Sequence, residues 1–146
     1  MDPTNTSEGY TLGRLMAVLE RIQRAAIGKE VNATIVDRYF SGASANPRTV
    51  FVRLEKNARH HVAKARDDDK QAWLVFRLEK ILDELHSQFD PKHNGYPAYL
   101  VLEQQGLFVL GYHHMRKWLG MNPEERTAWE LNHREAPKAY LWAKES

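Results

Sequence analysis

Apolar residues recur every three or four positions through most of the chain, and the breaks in that rhythm set the element boundaries. From Thr11 to Ile27 the series Leu12, Leu15, Met16, Leu19, Ile22 and Ala26 marks one helical face. Arg14, Arg21 and Arg24 lie elsewhere on the wheel, and Gly28 supplies a stop, so the pattern predicts an amphipathic helix. A shorter helix is expected over Asn32 to Phe40. The following "SGASAN" is poor in bulky side chains and reads as a loop. Asn46 then offers a side-chain cap and Pro47 a first helical residue whose missing N–H is harmless, which starts a helix from Pro47 to about Arg66.

Three aspartates, Asp67 to Asp69, suit the N-terminus of a fourth helix running to about Phe89, striped with Leu74, Leu78, Ile81, Leu82, Leu85 and Phe89. "DPKHNGYPAY" is turn chemistry. A fifth helix is expected from Leu102 to Leu119, carrying Phe108, Met115 and Trp118; Gly106 and Gly111 inside it suggest close helix approach. Asn122-Pro123-Glu124-Glu125 repeats the Asn-Pro start with an acid at the third helical position, giving a short helix from Pro123 to about His133. The tail beyond Pro137 receives no element. No alternating pattern is long enough to build a sheet, so the class is all-α, a compact bundle of five or six helices.

Composition narrows the function. The 146 residues suit one domain, and the absence of cysteine excludes disulfides, thiolate catalysis and Cys-ligated metal. No apolar run has the length of a membrane span. The start "MDPTNTSEGY" lacks the charge and apolar pattern of a signal peptide, so a soluble, cytoplasmic protein is expected.

The net charge is only +2, but its distribution is uneven. Between Arg48 and Arg66 there are six basic residues against one acid, Glu55, which leaves 15 basic and 18 acidic residues in the rest of the chain. At about 100° per residue, Val50, Phe51, Leu54, Ala58, Val62 and Ala65 share one arc of this third helix. Arg53, Lys56, His60 and Lys64 line up opposite, with Arg48, Arg59 and Arg66 beside them. Such a row can neutralise successive phosphates while reading no sequence. The plainer alternatives are a solvated face, or a structural module whose cations meet an acidic protein surface and never touch DNA.

Other chemistry finds less support. His60-His61 and His113-His114 are adjacent pairs, and neighbouring helical residues diverge by about 100°, so no metal site is expected. Ser41 and Ser44 belong to no nucleophile elbow or phosphate loop, and no enzyme or cofactor is expected. Trp73, Trp118, Trp129 and Trp142, set among leucines, read as core or interface.

The segments "YTLGRLMAVLERIQ", "NATIVDRYFSGASANPRTVFVRLEKNARHHVAK" and "QGLFVLGYHHMRK" together resemble the C-terminal part of the large subunit of type I-C CRISPR effector (Cascade) complexes, a region also made as a separate small subunit from an internal start. The resemblance runs from about Asp2 to Lys117, and Met1 directly before "DPTNTSEGY" fits the free small subunit. Val36 and Val52 replace an expected basic residue and proline, and Val101 an expected serine cap. The resemblance implies a helical, non-enzymatic protein present in several copies. Its partners would be the guide-RNA-bound backbone subunits, the large subunit, further copies of itself and the opened target DNA, whose sequence is read by the guide. The chain then divides into a polar arm at 1–10, a bundle at 11–119 and a C-terminal extension at 120–146.

Overall fold

A computed structural model describes residues 7–27, 35–65, 72–89 and 95–132. Its central element is α1 (Glu8–Ile27), which begins three residues before Thr11. The Ser7 hydroxyl accepts from the Tyr10 amide at 3.3 Å, and the Ser7 carbonyl accepts from Thr11 N–H at 3.0 Å, so Ser7 acts as the cap. Every side chain from Tyr10 to Glu20 is buried, Arg14 and Glu20 included. The expected amphipathic helix is therefore enclosed on all sides over its first three turns, because four other helices pack around it.

The tightest contact is with α5 (Leu102–Leu119). A Cβ on Gly13 would land on the Phe108 carbonyl oxygen and lie 2.7 Å from the Tyr112 nitrogen, and a Cβ on Gly111 would land on the Tyr10 carbonyl oxygen. The two backbones touch directly, which only residues without Cβ permit. Polar side chains stitch the seam: the Gly9 amide donates to Gln104 Oε1 at 2.8 Å, and Tyr10 Oη lies 2.9 Å from His114 Nδ1. Deeper in, the Tyr112 hydroxyl donates to Glu20 Oε1 at 2.8 Å, giving the buried carboxylate its partner. Burial, and then the Glu20 bond and charge, push the Tyr112 phenol up to about 12. The close approach expected of Gly111 is present; Gly106 faces open space instead.

Helix α2 (Ile35–Ala45) continues five residues past Phe40, through the stretch expected to be a loop. Small size is what packs there. Ala43 is fully buried, a Cβ on Gly42 would sit 3.4 Å from Val50 Cγ2, and the Ser44 hydroxyl returns to the Ser41 carbonyl at 2.9 Å. Asn46 N–H still bonds Gly42 O at 2.8 Å, and Pro47, with no N–H, ends the run. Helix α3 (Pro47–Ala65) begins at Pro47, as expected. The expected cap is different: among the described residues the Asn46 side chain makes no hydrogen bond, and the Arg48 amide donates to the Pro97 carbonyl at 2.9 Å.

Helix α4 (Ala72–His86) buries Val75, Leu78, Ile81, Leu82 and Leu85 against α1, with Phe89 in the following turn; Asp67 to Asp69 lie outside the described residues. Phe51 and Phe89 pack on the buried Tyr96 ring, with centroids 5.4 and 5.0 Å away. Each buried large apolar side chain of this core contributes about 1.5–3 kcal/mol relative to exposure. Helix α5 starts after Val101, which provides no side-chain cap. Helix α6 (Pro123–Asn132) opens on a reciprocal capping box: Glu125 N–H to Asn122 Oδ1 at 2.8 Å, and Asn122 N–H to Glu125 Oε1 at 3.1 Å. Arg126 ties α6 to α5 by stacking 4.1 Å over buried Trp118 and donating to the carbonyls of Trp118 and Leu119, where the α5 dipole favours a cation. The side chains of Trp73 and Trp129, and Trp142 with the tail, lie outside the described residues. The described residues contain six helices and no strand, the expected all-α bundle.

Candidate nucleic-acid interface

The face of α3 that meets the core carries Phe51, Leu54, Ala58 and Val62, all buried, with Val50 half-buried at its edge. This fixes the rotation of the helix. Arg53, Lys56, His60 and Lys64 consequently point outward and are exposed, as the helical spacing predicts. Among the described residues none of the four makes an ion pair. His61 is half-buried beside the row, and partial burial, then the neighbouring His60 and Lys64, lower its pKa. The two histidines of this pair thus have different surroundings. In the second pair His113 is exposed, whereas His114 meets Tyr10.

Two of the cations grouped with this row are engaged within the protein. Arg59 reaches across to α4, with nitrogens 2.6 Å from Asp83, 3.5 Å from Glu79 and 3.6 Å from Glu55. Three carboxylates around one guanidinium compensate its charge, so it holds α3 to α4 and leaves the outer row. Arg48 is exposed, but its Nε donates to the Tyr96 carbonyl at 3.0 Å, tying α3 to the turn before α5. Arg66 lies outside the described residues.

Glu55, the single acid of the basic segment, is the hub of this inner cluster. Its Oε2 accepts from the Tyr96 hydroxyl at 2.6 Å, and its Oε1 lies 3.0 Å from His86 Nδ1. Burial, then the bond to Glu55, drives the Tyr96 phenol far above its ordinary range, so it stays a donor. These groups line an open groove of about 430 Å³ between α3, α4 and the 95–96 turn, with Val52 and Lys56 at its edge. Glu55 is the one carboxylate among its lining residues, and the Arg59 that shares the groove is engaged by Glu55, Glu79 and Asp83. The cationic surface therefore narrows to the outer ridge of α3, Arg53, Lys56, His60 and Lys64. Sequence periodicity located this ridge; the role of Glu55 and the engagement of Arg59 depend on partners from α4 and the turn, which spacing within one helix does not show.

The family model for Cas_Csd1, a CRISPR-associated protein, matches residues 1–119. The chain belongs to the Cas_Csd1 family. The Cas_Csd1 match ends at the last residue of α5, so α1 to α5 and the whole cationic ridge fall within it, whereas α6 lies beyond. No curated protein matches the chain. Among the described residues no helix is long and apolar enough to cross a membrane, and no group of three His, Asp or Glu side chains is placed to hold a metal ion.

Proposed function

We propose that this Cas_Csd1 chain is the non-catalytic small subunit of a type I-C CRISPR RNA-guided effector complex, working in the cytoplasm beside the guide-RNA-bound backbone subunits and the large subunit. In this role it steadies the opened target DNA of the R-loop. Arg53, Lys56, His60 and Lys64 hold successive phosphates; Arg48 ties α3 to the Tyr96 carbonyl, and Arg59 serves the α3–α4 junction. The observation that supports this reading is the row of exposed cations on α3, free of carboxylate partners among the described residues and bounded on the α4 side by an acidic cluster. Such a surface binds backbone charge without reading bases, which suits a complex whose sequence recognition belongs to guide pairing.

The test is binding to single-stranded DNA of unrelated sequences across a salt series. The wild-type chain is expected to bind all of them alike, with affinity falling steeply as salt rises. Arg53→Ala/Lys56→Ala/Lys64→Ala should flatten the log–log slope by about 0.7 per lost contact. An absence of binding at low salt would instead favour a structural module that meets only protein.

A further inference from the structure

Given the proposed role of the α3 ridge, on which this step rests, we infer that the groove beside the ridge receives one nucleobase of the bound strand and favours a base with an exocyclic amino group. Val52, Glu55, Lys56 and Arg59 stand three and four positions apart on α3 and form one wall of the groove. Lys56 belongs both to this wall and to the row Arg53, Lys56, His60 and Lys64, so the groove opens at the edge of the ridge. A nucleotide whose phosphate meets Lys56 has its base at the mouth.

The space suits such an occupant. Its volume of about 430 Å³ lies within the range of about 300–1,000 Å³ typical of small-ligand clefts. Val52, 59% exposed, offers an apolar contact, and Gly95, at φ 73°, turns the chain with open space where a Cβ would stand.

Hydrogen bonding inside the groove selects the base. The Tyr96 hydroxyl spends its one proton on Glu55 Oε2 at 2.6 Å. His86 Nδ1 lies 2.8 Å from that hydroxyl oxygen and 3.0 Å from Glu55 Oε1, both acceptors, so Nδ1 carries the proton. In the neutral imidazole this leaves Nε2 as an acceptor, and among the described residues nothing bonds it. The His86 side chain is 45% exposed and lines the groove, whereas Arg59, the donor there, is turned to Glu55, Glu79 and Asp83. The groove therefore presents acceptors within and a cation, Lys56, at its rim. A complementary ligand brings an N–H donor inward and a negative charge to the rim, which describes a nucleotide with an amino-bearing base. Cytosine carries an N4 amino donor where thymine carries the O4 acceptor. Mixed strands always hold an amino-bearing base within reach, so they still bind alike, and the phosphate row still sets the salt dependence.

The test compares oligo(dC) with oligo(dT), each about 12 nucleotides long, by fluorescence anisotropy on the full chain at about pH 8, where an imidazole is neutral. Oligo(dC) should bind about fivefold more tightly, the worth of one hydrogen bond, with the same salt slope as oligo(dT). His86→Asn keeps an N–H donor near Nδ1 and has no acceptor at Nε2, so it should bring the ratio of affinities to about one. Imidazole ¹⁵N spectra of the wild-type chain decide even where that variant folds poorly: oligo(dC) should move the His86 Nε2 signal, and oligo(dT) should not. Equal affinity for the two strands, with steep salt dependence, would overturn the inference and leave the phosphate ridge standing. Absence of binding to either strand at low salt would remove both. A preference for oligo(dC) that survives in a folded His86→Asn variant, or an Nε2 signal that oligo(dC) leaves in place, would also overturn it.

Discussion

The same substitution should have opposite signs at two glycines of the one α1–α5 pair. At Gly13 a new Cβ meets the Phe108 carbonyl oxygen and lies 2.7 Å from the Tyr112 nitrogen, both backbone atoms that no rotamer change can move. Restoring an ordinary contact of about 3.5 Å requires the helices to part by roughly 1.5 Å, a gap that forfeits at least about half of the dispersion energy of each contact along the seam. Overpacking of this kind costs typically 1–3 kcal/mol, and here the upper end applies. Helix propensity returns about 1 kcal/mol, leaving Gly13→Ala less stable by roughly 2 kcal/mol. At Gly106 the Cβ meets nothing, so the propensity gain stands alone and Gly106→Ala should be more stable by up to about 1 kcal/mol. At roughly 3 °C per kcal/mol, thermal midpoints should move down by about 6 °C and up by about 3 °C, read by circular dichroism at low micromolar concentration. A Gly13→Ala variant as stable as wild type would refute the backbone contact, and a destabilised Gly106→Ala would refute the open surface.

Asn46→Ala should leave the urea midpoint within about 0.5 kcal/mol of wild type, because the Arg48 amide is satisfied by Pro97 and not by the Asn46 side chain; a loss above 1 kcal/mol would restore Asn46 as the cap. Arg59→Ala should loosen the α3–α4 junction by about 1 kcal/mol, since the pairs it makes are partly exposed, and should leave the salt slope of DNA binding unchanged; a flatter slope would return Arg59 to the phosphate row. Burial and the Glu20 bond raise the Tyr112 phenol from about 10 to about 12. The folded state therefore holds a proton that the unfolded chain releases. Stability from this group is complete below pH 10 and is lost as pH climbs toward 12, a decline that Tyr112→Phe should reduce in unfolding midpoints measured across that range.

Local chemistry made several boundaries legible. Pro47 can begin a helix and cannot continue one, and Asn122 with Glu125 forms a box from residues three apart, so neither needs the rest of the fold. Where tertiary packing decides, the sequence pattern misleads. "SGASA" lacks bulk and resembles a loop, yet Ala43 is buried and Gly42 fits beneath Val50 because α3 lies so close. Arg14 marks a polar side of α1 on a helical wheel; it is buried because α1 is enclosed by neighbours as far as 104 residues away. The candidate site divides the same way. One helix's periodicity is enough to place Arg53, Lys56, His60 and Lys64 on the outer ridge, whereas the engagement of Arg59 needs Glu79 and Asp83, and that of Arg48 needs the Tyr96 carbonyl 48 residues on.

The central claim is that the outer ridge of α3 steadies opened target DNA, and it is tested most directly in the assembled effector complex. Arg53→Ala/Lys56→Ala/Lys64→Ala replaces exposed side chains on the face opposite the core, so the variant should keep its helicity and join the complex in the same proportion as wild type. The measurement is the lifetime of the open R-loop on a fully matched target, followed with a strand-separation probe across a salt series. A shortened lifetime at unchanged complex composition, with a weaker dependence on salt, is the predicted result. An R-loop of unchanged lifetime and salt dependence in a complex carrying the triple variant would contradict the account and make the ridge a solvated or protein-facing surface.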